Sequence, residues 1–318
     1  MPDRSLPHTI LSCAMSLDGY IDDTSPERLR LSSEADFDEI DALRAECDAI
    51  LVGAGTVRSD NPRLLVRSAR RREERLAQGK TGDIVKVVLS ERGGLDPAAR
   101  VFTTGDAAKL VYVGSAAHAD TARRFAAARA PGDTPRAPGG ADPARPDHPA
   151  SSVHPAPLPP PADRPGAADA DVVVVDAGPD CDLAGILADL AERGVRRLLV
   201  EGGTGVHTRF LTAGLADEIR VAIAPFFVGD PGAPRFVGAG DFANDPRHPM
   251  RLAEARALGD MVVLRYVPRT ASPAEPGSAP NAASASDSAP AASASASDSA
   301  PAPDAAAPAF TTPTGRDR

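Results

Sequence analysis

Two short stretches of the chain combine residue types that could hold an anionic ligand. "VGAGT" (Val52–Thr56) and "EGGTG" (Glu201–Gly205) each follow a run of apolar residues. Glycine lets a backbone approach a phosphate closely, and a helix beginning just beyond it offers unpaired N–H groups and positive potential. Neither stretch is a GxGxxG fingerprint, and no Walker lysine follows either one. Taken singly, each is a tight structural turn or an anion seat. Two such turns at separate strand exits of one sheet suit a ligand long enough to reach both, as a dinucleotide is.

The polar residues nearby extend the possibilities. "TVRSDNPRLLVR" (Thr56–Arg67) sets Asp60, Asn61, Arg63 and Arg67 around Pro62. A proline restricts the residue before it, so Asn61 is expected to be extended and the stretch to form a rigid polar loop or a surface turn. Arginine binds phosphate bidentately and is always charged, which suits Arg44 and Arg67 to a phosphorylated substrate. The alternatives are a solvated helix residue for Arg44 and a loop charge beside "RSARRRE" for Arg67. Glu201 stands at the end of an apolar strand and needs partners if buried. A ring bearing N–H donors or the neighbouring backbone could supply them.

These residues need a scaffold, and the hydrophobic pattern describes one. "HTILSCAM" (His8–Met15), "AILVG" (Ala49–Gly53), "IVKVVLS" (Ile84–Ser90), "KLVYVG" (Lys109–Gly114), "DVVVVD" (Asp171–Asp176) and "RRLLVEGG" (Arg196–Gly203) read as strands. "SSEADFDEIDALRAEC" (Ser32–Cys47) reads as a helix. Ser33 and Asp36 begin it in capping-box fashion, and Phe37, Ile40 and Leu43 with Ala45 or Cys47 form its apolar face. "CDLAGILADLAERG" is a second helix, with Gly194 placed to end it. Continuous Val, Ile and Leu strands alternating with helices mean a largely parallel sheet covered on both faces. "DEIRVAIAP" and "MVVLRYV" have no helix-length segment patterned between them, so the sheet is expected to finish with antiparallel strands. The fold class is α/β with a mixed sheet, and ligands in such sheets bind at the carboxyl ends of strands.

Two stretches fall outside this pattern. Residues 131–168 are too rich in proline for helix or central strand and read as a disordered surface insertion within one domain spanning 1–268. From 269 to 318 the chain is Ala, Ser, Pro and Asp with a repeated "ASASDSAP", a low-complexity tail that cannot bury enough apolar surface to order itself. The net charge of −9 argues against nucleic acid or an anionic membrane as partner. "RRREERLAQGK" (Arg70–Lys80) is interrupted by Glu73 and Glu74 and reads as a solvated loop. No apolar run approaches the ~20 residues that span a bilayer, and "MPDRSLPHTI" lacks a signal-peptide core. Cys13, Cys47 and Cys181 have no metal-ligand spacing, so a reduced, cytoplasmic protein without a metal is expected.

"SLDGYI", "LRAECDAILVGAGTVRSDNPRL" and "LLVEGGTGVHTRFLTAGLADEIRVAIAPFFVG" together resemble the reductase domain of riboflavin biosynthesis, in order from Leu11 to about Val267 apart from the proline-rich insertion. The resemblance implies a dihydrofolate-reductase-like fold, a homodimer, and NADPH-dependent reduction of the ribosylamino group of a pyrimidinone 5′-phosphate to ribitylamino. It further implies that Gly53, Gly55 and Thr56 of the "GxGT" turn touch the cofactor. Gly202, Gly203, Thr204, Gly205, Val206 and His207 then form its pyrophosphate turn. Ser90 matches a serine near the adenosine phosphate, with Arg92 adding charge beside it. Asp60, the first acid of "DNPRL" where the family has "DDPxL", would contact the nicotinamide end. Leu64, Arg67, Arg44 and Glu201 match substrate-side positions, Arg67 at the substrate phosphate.

The mechanism implied is hydride transfer to C1′ of the ring-opened imine. Asp60, or water held by it, would deliver the proton, and Glu201 would orient the ring. The chain departs from the family pattern at Asn61 and at "RLRLSS" (Arg28–Ser33), where members often carry a serine and an aromatic residue; Arg28 and Arg30 make the mouth more basic. No C-x-x-C exists, so the zinc deaminase that accompanies this domain in bifunctional bacterial proteins has no counterpart here, and the absence of tryptophan argues against folate reduction. The competing readings are a related oxidoreductase acting on another heterocycle or carbonyl, and a non-catalytic nucleotide-binding relative. The intact glycine turns and Asp60 argue against the latter.

Overall fold

Seven parallel strands dominate the architecture. They are β1 (His8–Met15), β2 (Ala49–Gly53), β3 (Val85–Ser90), β4 (Lys109–Val113), β5 (Val172–Asp176), β6 (Arg197–Gly202) and β7 (Glu218–Ile223). Two more, β8 (Arg251–Leu258) and β9 (Met261–Val267), complete a nine-stranded sheet in the order β5-β4-β3-β2-β6-β1-β7-β9-β8. The structure is a computed structural model that describes residues 6–25, 27–129 and 172–269. The expected insertion at 131–168 lies outside the described residues, as does all but the first residue of the expected tail.

Every residue of β2, β3 and β4 is buried, because both faces of the sheet are covered. Leu51, Val87 and Val200 pack on one face with α6 (Leu183–Glu192) and with Phe210 of α7 (Thr204–Thr212). Ile50, Val52, Val88 and Leu199 pack on the other with residues of α2 (Ala54–Asp60), α4 (Arg100–Thr103) and α5 (Ser115–Arg129). β9 pairs antiparallel with both β7 and β8, so the sheet ends as its sequence implied. The mostly parallel mixed sheet with helices on both faces is therefore what the structure contains. The edge strand β8, "RLAEARAL", is not legible as a strand because none of its residues is buried and alanine and charged residues stand where β-branched ones would mark a strand.

The chain passes from β1 to β2 and leaves a place between them, which β6 later fills. Loops therefore diverge at the carboxyl ends of β2, β6 and β1, which creates a crevice there.

Three local features differ from expectation. α1 (Glu34–Glu46) shows one half of the expected capping box, the Ser33 hydroxyl accepting the Asp36 N–H at 3.2 Å, while the Ser33 N–H donates to the Met261 sulfur at 3.3 Å. Yet Phe37, Ile40 and Leu43 are only half-buried, whereas Asp36 and Asp41 are fully buried. The helix lies against the crevice, and its buried acids serve as acceptors: Asp36 for Arg220 at 2.7 Å, Asp41 for the Ser68 N–H and Arg71, both at 3.0 Å. The basic run expected as a solvated loop begins in the third helix, α3 (Ala69–Ala77). Its Arg75 is buried and donates to the carbonyls of Ala45 and Cys47, both at 2.8 Å, and of Thr81 at 3.0 Å. An arginine stem covers apolar surface while its five N–H donors satisfy loop carbonyls, which a count of charges does not reveal. Finally, Asn61 is left-handed (φ 41°, ψ 56°) rather than extended. It ends α2, a position asparagine tolerates, and its side-chain oxygen accepts the Arg100 N–H at 2.7 Å.

Candidate functional site

Two helices start side by side without side-chain caps. α1, α3 and α6 are capped by Ser33, Ser68 and Asp182. α2 begins on Gly53 and α7 on Gly203, and no side chain caps either one. The first N–H groups of a helix have no acceptor within it, so these two starts present free donors and positive potential. They follow β2 and β6, which are neighbours in the sheet. The Thr56 hydroxyl donates to the Gly202 carbonyl at 3.1 Å and ties one turn to the other.

The glycines are required by close approach as well as by conformation. Gly202 and Gly203 have φ of +77° and +83°. A Cβ on Gly203 would stand 2.9 Å from the Thr56 hydroxyl oxygen, and one on Gly53 would stand 2.8 Å from Cγ2 of Val206. Gly55 differs: nothing lies within 4 Å of where its Cβ would be. It keeps open the space in front of α2.

That space belongs to a cleft of about 1180 Å³, and every site residue singled out from the sequence lines it. On the floor, Arg44 of α1 grips Glu201 of β6 bidentately, Nε to Oε1 at 2.7 Å and a terminal nitrogen to Oε2 at 2.5 Å. Its remaining terminal nitrogen donates to the Leu65 carbonyl at 3.2 Å. Both side chains are mostly withdrawn from solvent, 13% and 16% exposed. Burial works against the Arg44 charge, but Glu201 more than offsets it and holds the guanidinium above its ordinary pKa. Within the protein the partner of Glu201 is Arg44, which the sequence reading did not foresee. This pairing of two candidates 157 positions apart has no signal in either one's local sequence.

Asp60 sits on the last turn of α2, 15% exposed, where it accepts from the Ser59 hydroxyl at 2.7 Å and faces Arg28 at 3.4 Å. The unusual Arg28–Ser33 segment thus reaches the cleft through Arg28. It does so again through Arg30, whose guanidinium lies 5.5 Å from the Phe37 ring centre, while that of Arg67 lies 5.2 Å from the same ring. The Arg67 backbone N–H is anchored on the buried Asp41 carboxylate. Asp41 is a site-shaping residue that sequence reasoning missed, because an acid mid-helix reads as solvated. Leu64 is buried with a positive φ of 52°, a strained backbone position in the cleft wall. Ser90, at the end of β3, donates to the Gly93 carbonyl at 2.8 Å and shapes the loop that carries the exposed Arg92.

His207, in the first turns of α7, is 1% exposed, and neither ring nitrogen has a hydrogen-bond partner among the described residues. Its backbone N–H donates to the Gly203 carbonyl at 3.1 Å. Burial pushes its pKa down to about 4; backbone groups of Val200 and Phe236 and the Glu201 charge oppose this weakly, without reaching hydrogen-bond geometry. A folded pKa below the ordinary 6.5 means the unfolded chain takes up the proton first. The stability this gives is complete above pH 6.5 and is lost as pH falls toward 4, by about 3 kcal/mol at most. His207→Ala is expected to flatten the dependence of melting temperature on pH across that window. An unchanged slope would show that the imidazole does not titrate there.

Among the described residues, no group of three or more His, Cys, Asp or Glu could hold a metal ion, and no helix is long and apolar enough to cross a membrane. The three cysteines are buried and unpaired.

Comparison with known proteins bears on the family and the fold. The profile of the family described as the RibD C-terminal domain matches residues 7–264. The 2,5-diamino-6-ribosylamino-4(3H)-pyrimidinone 5′-phosphate reductase of Archaeoglobus fulgidus is 32% identical over 228 residues, covering 72% of this chain and 84% of that protein. The protein of the same name from Methanothermobacter thermautotrophicus is 29% identical over 263 residues, covering 82% and 97%. Among solved structures, RibD from Acinetobacter baumannii superposes with a TM-score of 0.57 at 19% identity, over 83% of this chain and 59% of that one. A pyrimidine reductase-like protein from Corynebacterium diphtheriae gives 0.58 at 18% identity, over 83% and 92%. These two likenesses speak to the fold.

Proposed function

The chain belongs to the RibD C-terminal domain family, and from that premise we propose that it is an NADPH-dependent reductase of riboflavin biosynthesis. Its substrate is a ribosylaminopyrimidinone 5′-phosphate, reduced at C1′ of the ring-opened sugar to the ribitylamino product. The observation that carries this reading is the pair of uncapped glycine helix starts set beside the Arg44–Glu201 pair in one cleft. The residues fit a dinucleotide: free N–H groups, a backbone no side chain could replace at Gly203, and open space before Gly55.

When bound, a dihydronicotinamide would supply the hydride. What the chain supplies is position and a proton. The N–H groups opening α7 and α2 hold the pyrophosphate, and Arg92 beyond Ser90 adds the positive charge that favours the phosphorylated dinucleotide over NADH. Arg44 fixes both Glu201 oxygens, so their remaining lone pairs accept from the N–H groups of the pyrimidine ring and orient it. A water held by Asp60 gives the proton to the imine nitrogen as C1′ is reduced, and solvent replaces it. The sequence carries no zinc-deaminase signature, and we assign this chain reduction without deamination. The relatives from Archaeoglobus and Methanothermobacter are named for the diamino substrate, which favours the undeaminated pyrimidine here.

Arg67, anchored through Asp41 and lying against Phe37, is assigned the substrate phosphate. Arg67→Ala is expected to raise KM for the phosphorylated pyrimidine about 10- to 100-fold, the scale of one or two charge-assisted hydrogen bonds. KM for the dephosphorylated compound should hardly move. Equal effects on both compounds would refute the phosphate contact.

A further inference from the structure

The mechanism makes no use of the His207 ring, although it is buried at the centre of the phosphate turn. An imidazole with neither nitrogen partnered among the described residues is an expensive core residue, since each unsatisfied polar atom loses its hydration without return. An aliphatic side chain would serve stability better. The ring's surroundings show what it does instead. A Cβ on Gly202 would lie 2.2, 2.3 and 2.7 Å from its Cε1, Nε2 and Nδ1 atoms, so the imidazole is seated against the Gly202 backbone. From the other side, the Thr56 hydroxyl donates to the Gly202 carbonyl at 3.1 Å. Behind the ring stands Phe236, edge to face at 5.0 Å between centres. Phe236 is itself held, its N–H on the Gly19 carbonyl at 3.1 Å. Its neighbours clasp α7: the Arg235 carbonyl accepts from the Thr204 hydroxyl, and the Gly238 N–H donates to the Thr208 hydroxyl at 2.8 Å.

We propose that His207 is a positioning residue: its flat ring, backed by Phe236, fixes the height of the Gly202–Gly203 turn, and with it the N–H groups that open α7. This inference rests on reading the cleft as a nicotinamide-nucleotide site. It makes Gly202 and His207 one unit, in which the missing side chain of the first is the space occupied by the second. The ring acts through shape, so neither a proton nor a hydrogen bond from it is required.

The test is a double-mutant cycle read by NADPH fluorescence titration, with a thermal melt of every variant. Gly202→Ala is expected to weaken NADPH binding about 100-fold, since a methyl group there displaces the turn and sub-ångström placement matters. His207→Ala should weaken it about tenfold while leaving KM for the pyrimidine within about twofold. The Gly202→Ala/His207→Ala double variant should bind NADPH at least about tenfold better than the product of the single effects allows. Recovery stays incomplete, because alanine remains strained at a positive φ. His207→Phe, which keeps a planar ring without nitrogens, should bind NADPH closer to wild type than His207→Ala does. Additive effects in the cycle would overturn the proposal. So would a His207→Ala protein that melts lower but binds NADPH normally, or loss in His207→Phe as deep as in His207→Ala despite a normal melt. If the wild-type chain itself binds no NADPH, the functional reading fails, a result distinct from all of these.

Discussion

Replacing Gly203 by valine is expected to abolish measurable NADPH binding, a loss of at least about 100-fold. Two independent effects combine. The backbone there is left-handed at φ +83°, where a β-branched residue is strained by about 1–3 kcal/mol. The new Cβ would also meet the Thr56 hydroxyl at 2.9 Å, breaking the link that holds the two turns together. Each 1.4 kcal/mol is a factor of ten in affinity, so strain relieved by distorting the turn is enough to lose the site. Gly55→Ala is the informative companion. Nothing among the described residues opposes a methyl group there, so its fold and melting temperature should be unaffected. Only a ligand filling the open space would make that variant bind worse. Fluorescence titration of both variants, beside circular dichroism, checks the pair of expectations; wild-type affinity in the valine variant would remove the turn from the site.

The second large effect concerns the floor of the cleft. Arg44→Leu leaves Glu201 withdrawn from water and without its cation. Removing one partner of such a pair costs about 3 kcal/mol, which lowers the melting temperature of a domain this size by roughly 10 °C. Activity should fall by two orders of magnitude or more, because the carboxylate is then free to turn away from the ring. Replacing both partners, Arg44→Leu with Glu201→Leu, should restore most of the melting temperature, since apolar pairs of similar volume often replace buried ion pairs at little cost. The double variant should nonetheless stay inactive. A stable and active double variant would reduce the pair to scaffolding.

Much of this arrangement was legible in the sequence, for a physical reason. Strands such as "AILVG" and "KLVYV" are buried on both faces, so their apolar runs are continuous and their limits sharp. Gly53, Gly202 and Gly203 are visible because a side chain at any of them would meet a neighbouring atom within 3 Å. What was hidden depends on distant partners. Asp36 and Asp41 look like the polar face of α1 until Arg220, Arg71 and the Arg67–Ser68 backbone are folded against them. Arg75 looks solvated until loop carbonyls gather round it. Asn61 turns left-handed because α2 must end there, overriding the local pull of Pro62. Arg44 and Glu201 were each singled out, but their embrace was not, since neither residue's neighbours in sequence refer to the other.

Transfer of hydride from a nicotinamide to the sugar carbon of a pyrimidine phosphate can be followed with an isotope. The most direct measurement supplies NADPH deuterated at the transferable C4 position with the undeaminated and the deaminated ribosylaminopyrimidinone phosphates, and reads the product by mass spectrometry and NMR. The expected result is one deuterium at C1′ of a ribitylamino product, matched one to one by oxidised NADP, with the undeaminated compound the better substrate. NADPH that binds but is oxidised with neither pyrimidine, or deuterium that appears anywhere other than C1′, would contradict it.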